Sequence, residues 1–242
     1  MESQLMKNEG LNCFVAGSEY DFRQLTKGKH VQNDVVRALR EMKMEPLEIY
    51  SGKQVHGCKI GYADGKAGET HMFGKVFPET DGLITDKPGI ALLVKYADCT
   101  PIVLYDPKRK VVAALHSGWR GTVQRISQKA ITRMVNEFDC KIEDIYAYLG
   151  PSIDRENYEV GREVYEAFET FTERDTFFIP RGNNYHLSMS DANEALLREA
   201  GIQSTHIEVD HLSTFDDARL HSARAEGKEY GLNGLIVMMD FE

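Results

Sequence analysis

The chain lacks most of the features by which a sequence declares its chemistry. It has no CxxC pair: Cys13, Cys58, Cys99 and Cys140 are widely scattered. That spacing argues against a disulfide framework, and the thiols are read as reduced. No apolar run approaches the ~18 residues of a membrane span. The opening MESQLMKNEGLN has neither the basic start nor the apolar core of a secretory leader, so the expected location is cytoplasmic. Positive charge is in deficit, with 29 Lys and Arg against 38 Asp and Glu and a net charge of −9. Bulk nucleic acid and anionic membrane surfaces are therefore not expected partners. Walker A, GxGxxG, GxSxG and HExxH are all missing, which removes the usual support for nucleotide-cofactor, serine-hydrolase and metalloprotease readings. Internal repeats, low-complexity tracts and Pro/Gly/Ser linkers are missing too.

What remains is an ordinary globular composition: 242 residues, 42% hydrophobic and 28% charged. A single domain over residues 1–242 is expected. Residues 11–17 and 46–50 read as short strands around a helix at 31–43. The β-rich centre begins at 81–84. A helix is predicted over 121–138, with Val123, Ile126, Ala130, Met134 and Phe138 on one face and Thr122 as its cap. Further helices are expected at 160–171 and 189–200, the latter stopped by Gly201, and strands at 145–149, 207–209 and 235–239. Strands cluster rather than alternate with helices, so the expected class is α+β: mixed sheets in a central β core with helices outside.

The chemistry concentrates between Asp86 and Thr122. Two apolar strands, 102–105 and 111–115, flank Asp106-Pro107-Lys108-Arg109-Lys110. Proline presets φ and aspartate bonds its own turn, so a hairpin is predicted. With Tyr105 facing Val111, Thr100 faces His116 and Cys99 faces Ser117. A thiol and an imidazole then meet at one end of the hairpin, as a metal site or as a Cys–His nucleophile pair. His56 in QVHG is the third residue of ligand type beside a turn. A catalytic zinc site uses three protein ligands and keeps one position open, which two His and one Cys satisfy. Their spacings of 43 and 17 residues match no compact zinc finger. Taken singly, each of the three has a plain structural explanation, Cys99 as a small buried hydrophobe and each histidine as a satisfied ring.

Asp98, beside Cys99, is a candidate to orient a ligand or to act as a general base. Gly118-Trp119-Arg120-Gly121-Thr122 places Arg120 and free amides at a helix start, a position suited to an anion. The plain alternative there is a capped helix with a solvated arginine. The other histidines, His30, His71, His186, His206, His211 and His221, show no paired spacing and are read as surface residues.

At these residues the chain resembles the laccase-domain proteins, first described as multicopper polyphenol oxidases and associated with zinc-dependent purine nucleoside phosphorolysis and adenosine deamination. The blocks are QVHG at 54–57, DGLIT at 81–85, ADCTPIVLYD at 97–106 and HSGWRGT at 116–122. LGPSI at 149–153, YEVG at 158–161 and HSARAEG at 221–227 extend the likeness to about Gly234. The first 50 residues match the family pattern poorly, and Arg224 is followed by Ala225 where the family carries paired basic residues. The resemblance implies that His56, Cys99 and His116 hold the metal, zinc with copper as the alternative. It implies a purine nucleoside and phosphate as small-molecule partners, in a monomer or homodimer. On that reading His56, Cys99, His116 and Asp98 are catalytic, and Arg120, Thr122 and Gln54 bind substrate or phosphate. The rival functions are a Cys–His thiol hydrolase or amidase, peptidoglycan editing as implied by some bacterial relatives, and copper-dependent phenol oxidation.

Overall fold

The computed structural model describes residues 1–241. Two six-stranded mixed sheets pack face to face. In chain-neighbour order the first holds Asn12–Ala16, Asn233–Met238, Ile90–Tyr96, Glu48–Gly52, Gly74–Phe77 and Glu69–His71. The second holds Ile207–Val209, Tyr146–Leu149, Thr100–Asp106, Val111–Ser117, Gly82–Thr85 and Ile60–Tyr62. Each sheet combines antiparallel with parallel pairings: the first is parallel only where Glu48–Gly52 meets its two neighbours, the second only at its two edges. This is the expected α+β arrangement of a β core with helices outside.

The layering follows from two-residue periodicity. Along Thr100–Asp106, Val103 and Tyr105 point between the sheets while Ile102 and Leu104 point outward. The inner layer joins Tyr50, Leu92, Val94, Tyr96, Val112 and Leu235. On one outer face lies the helix Ile126–Phe138, whose Ile126, Ala130, Ile131 and Met134 are buried. On the other lies Val31–Glu41, through Val35, Ala38 and Leu39. Both sheets are thus covered on both faces, which explains why their central strands are mostly apolar, with Lys95, Asp106 and His116 as exceptions. A three-stranded sheet of Glu159–Val160, Asn184–Leu187 and Phe178–Arg181 stands apart, with an aromatic core of Phe168, Phe171, Phe177 and Phe178.

Several local expectations are corrected. The hairpin pairs Tyr105 with Val112, Pro101 with His116 and Thr100 with Ser117, a slip of one residue. Asp106 belongs to the ladder opposite Val111, and its Oδ1 accepts from the N–H groups of Lys108 and Arg109. The loop is therefore four residues rather than five. The helix predicted at 121–138 is two, Trp119–Val123 and Ile126–Phe138, broken at Arg125 with φ 60 and ψ 45. Thr122 sits inside the first and does not cap it; Gly118 is the N-cap. The helix expected at 160–171 is only Arg162–Ala167, with Val160 in a strand. Phe168 and Phe171 keep their helical spacing but enter the aromatic core through turns. Met189–Glu199 ends before Gly201, whose φ of +96 suits the stop predicted there.

Candidate metal centre

Three chain segments meet at one end of the two-sheet core. The loop after Glu48–Gly52 carries His56, the turn between Ile90–Tyr96 and Thr100–Asp106 carries Cys99, and the last strand residues before Gly118 carry His116. One ligand atom from each lies within 4.8 Å of the others. Among the described residues these three form the one group of His, Cys, Asp or Glu compact enough to hold an ion; the six remaining histidines join none. His116 is buried, Cys99 half-buried and His56 exposed, so the site is anchored on the inside and open on the outside.

Asp81 fixes this geometry. Its Oδ1 receives His116 Nδ1 at 2.9 Å and the His56 N–H at 2.9 Å, and its Oδ2 receives the N–H groups of Val55 and Gly57 at 3.0 and 2.9 Å. One carboxylate therefore holds the QVHG backbone and one ring of the ligand set. With Nδ1–H committed to Asp81, His116 presents Nε2 to the site. His56 itself has φ 59, a left-handed conformation that the Asp81 contacts stabilise. Burial works against the Asp81 carboxylate, but His116 and the backbone donors hold it below its usual value.

The electrostatics suit cation binding. Burial would raise the Cys99 thiol, yet His116 and His56 bring it down to about 6. Burial would lower His116, yet the Cys99 thiolate and Asp81 lift it to about 9. Once a metal displaces the His116 proton, the thiolate and two imidazoles form the donor set that zinc accepts. The backbone makes room for it: a Cβ on Gly118 would come 2.9 Å from Cys99 Sγ and 3.0 Å from His56 Cδ2.

The sequence-predicted companions are placed differently. Asp98, at φ 78, accepts from Thr214 Oγ1 at 2.8 Å and from the Arg224 N–H at 2.8 Å. It ties loops together, and the orienting part expected of it belongs to Asp81. Gln54 lines the cavity beside the ligands, but its amide is clasped to the Lys95 backbone, with Oε1 accepting from N–H at 3.0 Å and Nε2 donating to O at 2.6 Å. Thr122 is fully buried and donates to Gly118 O at 3.1 Å, so it offers no hydroxyl to a ligand. Nearby, Ser117 donates to Asn193 Oδ1 at 2.8 Å, and Asn193 Nδ2 donates to Thr122 at 3.2 Å and Met189 O at 2.8 Å. This buried network pins the HSGWRGT loop to Met189–Glu199. Arg120 is exposed, its guanidinium 4.2 Å from the Trp119 ring centroid. The helix it sits in has five residues, too short for the macrodipole the anion reading assumed.

Asp81 and Asn193 were missed by sequence reasoning. The DGLIT block was a signal for Asp81, since a charged residue immediately precedes a strand buried at every position. Asn193 carried no comparable signal.

The family model described as multi-copper polyphenol oxidoreductase laccase matches residues 17–240. The chain belongs to this family. The match reaches well upstream of Gln54, so the divergent N-terminal region is part of the same fold. Adenosine deaminase RL5 from an unknown prokaryotic organism is 35% identical over 241 residues, 92% of each chain. Purine nucleoside phosphorylases of Bacteroides thetaiotaomicron and Deinococcus radiodurans are 36% and 38% identical over 167 and 149 residues. Those segments cover 65% and 62% of this chain, and only 60% and 54% of the relatives' own lengths. Bacillus licheniformis YfiH has the same fold, with a TM-score of 0.89 at 24% identity over 97% of this chain and 94% of its own. No helix among the described residues is long and apolar enough to cross a membrane.

Proposed function

We propose that this laccase-family chain is a zinc-dependent purine nucleoside phosphorylase with adenosine deaminase activity. The observation that carries the metal is the convergence of His56, Cys99 and His116 within 4.8 Å on a cavity of about 230 Å³. The substrate class comes from relatives named for purine nucleoside phosphorolysis and adenosine deamination, one of them matched over 92% of both chains. A single thiolate with two imidazoles favours zinc. A multicopper oxidase centre needs several imidazole-rich groups, and among the described residues there is one group.

Zinc held by His56, Cys99 and His116 would supply Lewis acidity. The protein's own share is preorganisation. Asp81 fixes the His116 ring, Gly118 leaves space for the ligands, and Tyr230 and Leu232 give the cavity an apolar wall suited to a planar base. In phosphorolysis the glycosidic C–N bond breaks, a bond to phosphate oxygen forms, and the base leaves with a proton. In deamination water replaces the exocyclic amine, which leaves as ammonia.

The test is chromatographic product analysis with adenosine on zinc-quantified protein, with and without phosphate. Free base appearing only with phosphate, and lost in Cys99→Ala, supports the proposal; inosine alone leaves deamination as the sole activity. No product from zinc-loaded protein sinks it. One observation favours a second reading, a Cys–His thiol hydrolase: the Cys99 thiol is held down to about 6 beside His116. Stoichiometric zinc that is lost in His56→Ala counts against that alternative.

A further inference from the structure

The strand Ile90–Tyr96 reads IALLVKY, one ammonium among apolar residues. Ala91 and Leu93, which share the face of Lys95, are buried in the outer core. A residue that breaks the local pattern without a local reason marks a functional position. Lys95 lines the same cavity as His56, Cys99 and His116, together with Lys53 and Gln54. Gln54 clasps its backbone on both sides, which fixes where its side chain starts.

No hydrogen bond or ion pair to Lys95 Nζ occurs among the described residues. Burial, with no carboxylate opposing it, pushes the ammonium down to about 8. Lys53 and His71 beside it are basic, and the acidic group of the same cavity, the Cys99 thiol, is engaged by His116 and His56. Lys53 reaches only the surface Glu69, at 3.6 Å. His71 is lowered by burial first and then by Lys95 and Lys53. A half-buried cation beside Lys53 and His71, facing a cavity and with no hydrogen-bond or ion-pair partner of its own, destabilises the protein unless a ligand supplies the anion.

We propose that Lys95 is the oxyanion-binding group of this site and holds a phosphoryl group on the Lys53–Gln54 side of the metal ligands. The phosphoryl group is either free phosphate, the co-substrate of the function proposed above, or a phosphate carried by the nucleoside. The assignment rests on that function for its biological setting and not for its binding chemistry. It moves the anion away from Arg120 and the short helix at Trp119–Val123.

Calorimetry on zinc-loaded protein tests it, with inorganic phosphate, adenosine 5′-monophosphate, adenosine and chloride as probes. Lys95→Met should weaken the binding of phosphate, or of the monophosphate, about tenfold or more while leaving adenosine within about threefold. Lys95→Arg should keep most of the affinity, because the charge persists. Free phosphate as the source predicts phosphate binding on its own. A nucleotide source predicts a monophosphate preference over adenosine that disappears in Lys95→Met. Equal phosphate and monophosphate affinity in wild type and Lys95→Met overturns the proposal, as does wild-type phosphate binding no stronger than chloride with no monophosphate preference. Binding lost in Arg120→Ala but kept in Lys95→Met overturns it too. Absence of base release from adenosine sinks the phosphorolysis reading alone, and the calorimetry still decides Lys95.

Discussion

Asp81 Oδ1 lies 2.9 Å from His116 Nδ1, with both side chains sealed from solvent. The pair orients the innermost ligand, and the same carboxylate holds the loop that brings the outermost one, His56. The candidate metal centre is therefore assembled by one buried acid that lies outside the group of three that could hold an ion.

Replacing that acid separates its two duties. Asp81→Asn keeps the shape but removes the charge that holds His116 in its tautomer. Zinc affinity should fall about 10- to 100-fold, read by competition with a chromogenic chelator. Asp81→Ala also strands three backbone donors and should cost about 2–4 kcal/mol of stability in denaturant titration. Unchanged zinc affinity in Asp81→Asn contradicts the orienting role.

Gly118 is predicted to be intolerant of any side chain. In Gly118→Ala the new methyl meets Cys99 Sγ at 2.9 Å and His56 Cδ2 at 3.0 Å. Zinc stoichiometry by elemental analysis should drop well below one while circular dichroism stays native. Full zinc occupancy in this variant refutes the close approach.

The thiolate character of Cys99 has a pH signature in metal-free protein. With the thiol at about 6, its alkylation by iodoacetamide should rise through that pH and be flat from about pH 7 upward, unlike an ordinary thiol near ~8.5. Burial raises the Cys140 thiol to about 12 and pushes the Cys13 thiol well above its usual value, so both should stay unmodified. Peptide mapping by mass spectrometry separates the sites, and zinc should protect Cys99.

Lys95 should burden the unliganded fold at neutral pH. Burial holds its ammonium down to about 8, below the 10.5 of a free lysine, so the folded state resists the proton that the unfolded chain keeps. Lys95→Met should then stabilise the protein at pH 7 by about 2 kcal/mol, allowing for water in the cavity. The gain is full below about pH 8 and shrinks toward pH 10.5, as folded wild type sheds the proton before the unfolded chain does. Denaturant midpoints at pH 7 and pH 10 give the comparison. A gain that grows with pH contradicts the burial of this charge.

The convergence of His56, Cys99 and His116 was legible because these residues stand where strands end, beside small neighbours. The α+β class, the helix over Val31–Glu41 and the strand at Ile207–Val209 were legible from periodicity and from turn residues. The hairpin was legible as a hairpin, but its register was not. Whether Asp106 joins the ladder or the loop depends on its hydrogen bonds to Lys108 and Arg109, and that choice moves every partner by one. Cys99 and His116 meet despite the slip, because Cys99 lies in the turn just outside the ladder, where strict pairing no longer constrains it.

The sequence by itself determined which residues can bind a metal and which strands are buried on both faces, since both are properties of residue type and short-range spacing. Only the tertiary structure decided which carboxylate serves the site. Asp98 is the neighbour of Cys99 in sequence, yet its oxygens are taken by Thr214 and Arg224, residues more than a hundred positions away. Asp81 is distant from His116 in sequence and reaches it because Gly82–Thr85 pairs with Val111–Ser117. The position of Lys95 was decided the same way. Its charge is plain in the sequence, but that it faces the ligand cavity without a counter-ion depends on long-range packing, which no local pattern encodes.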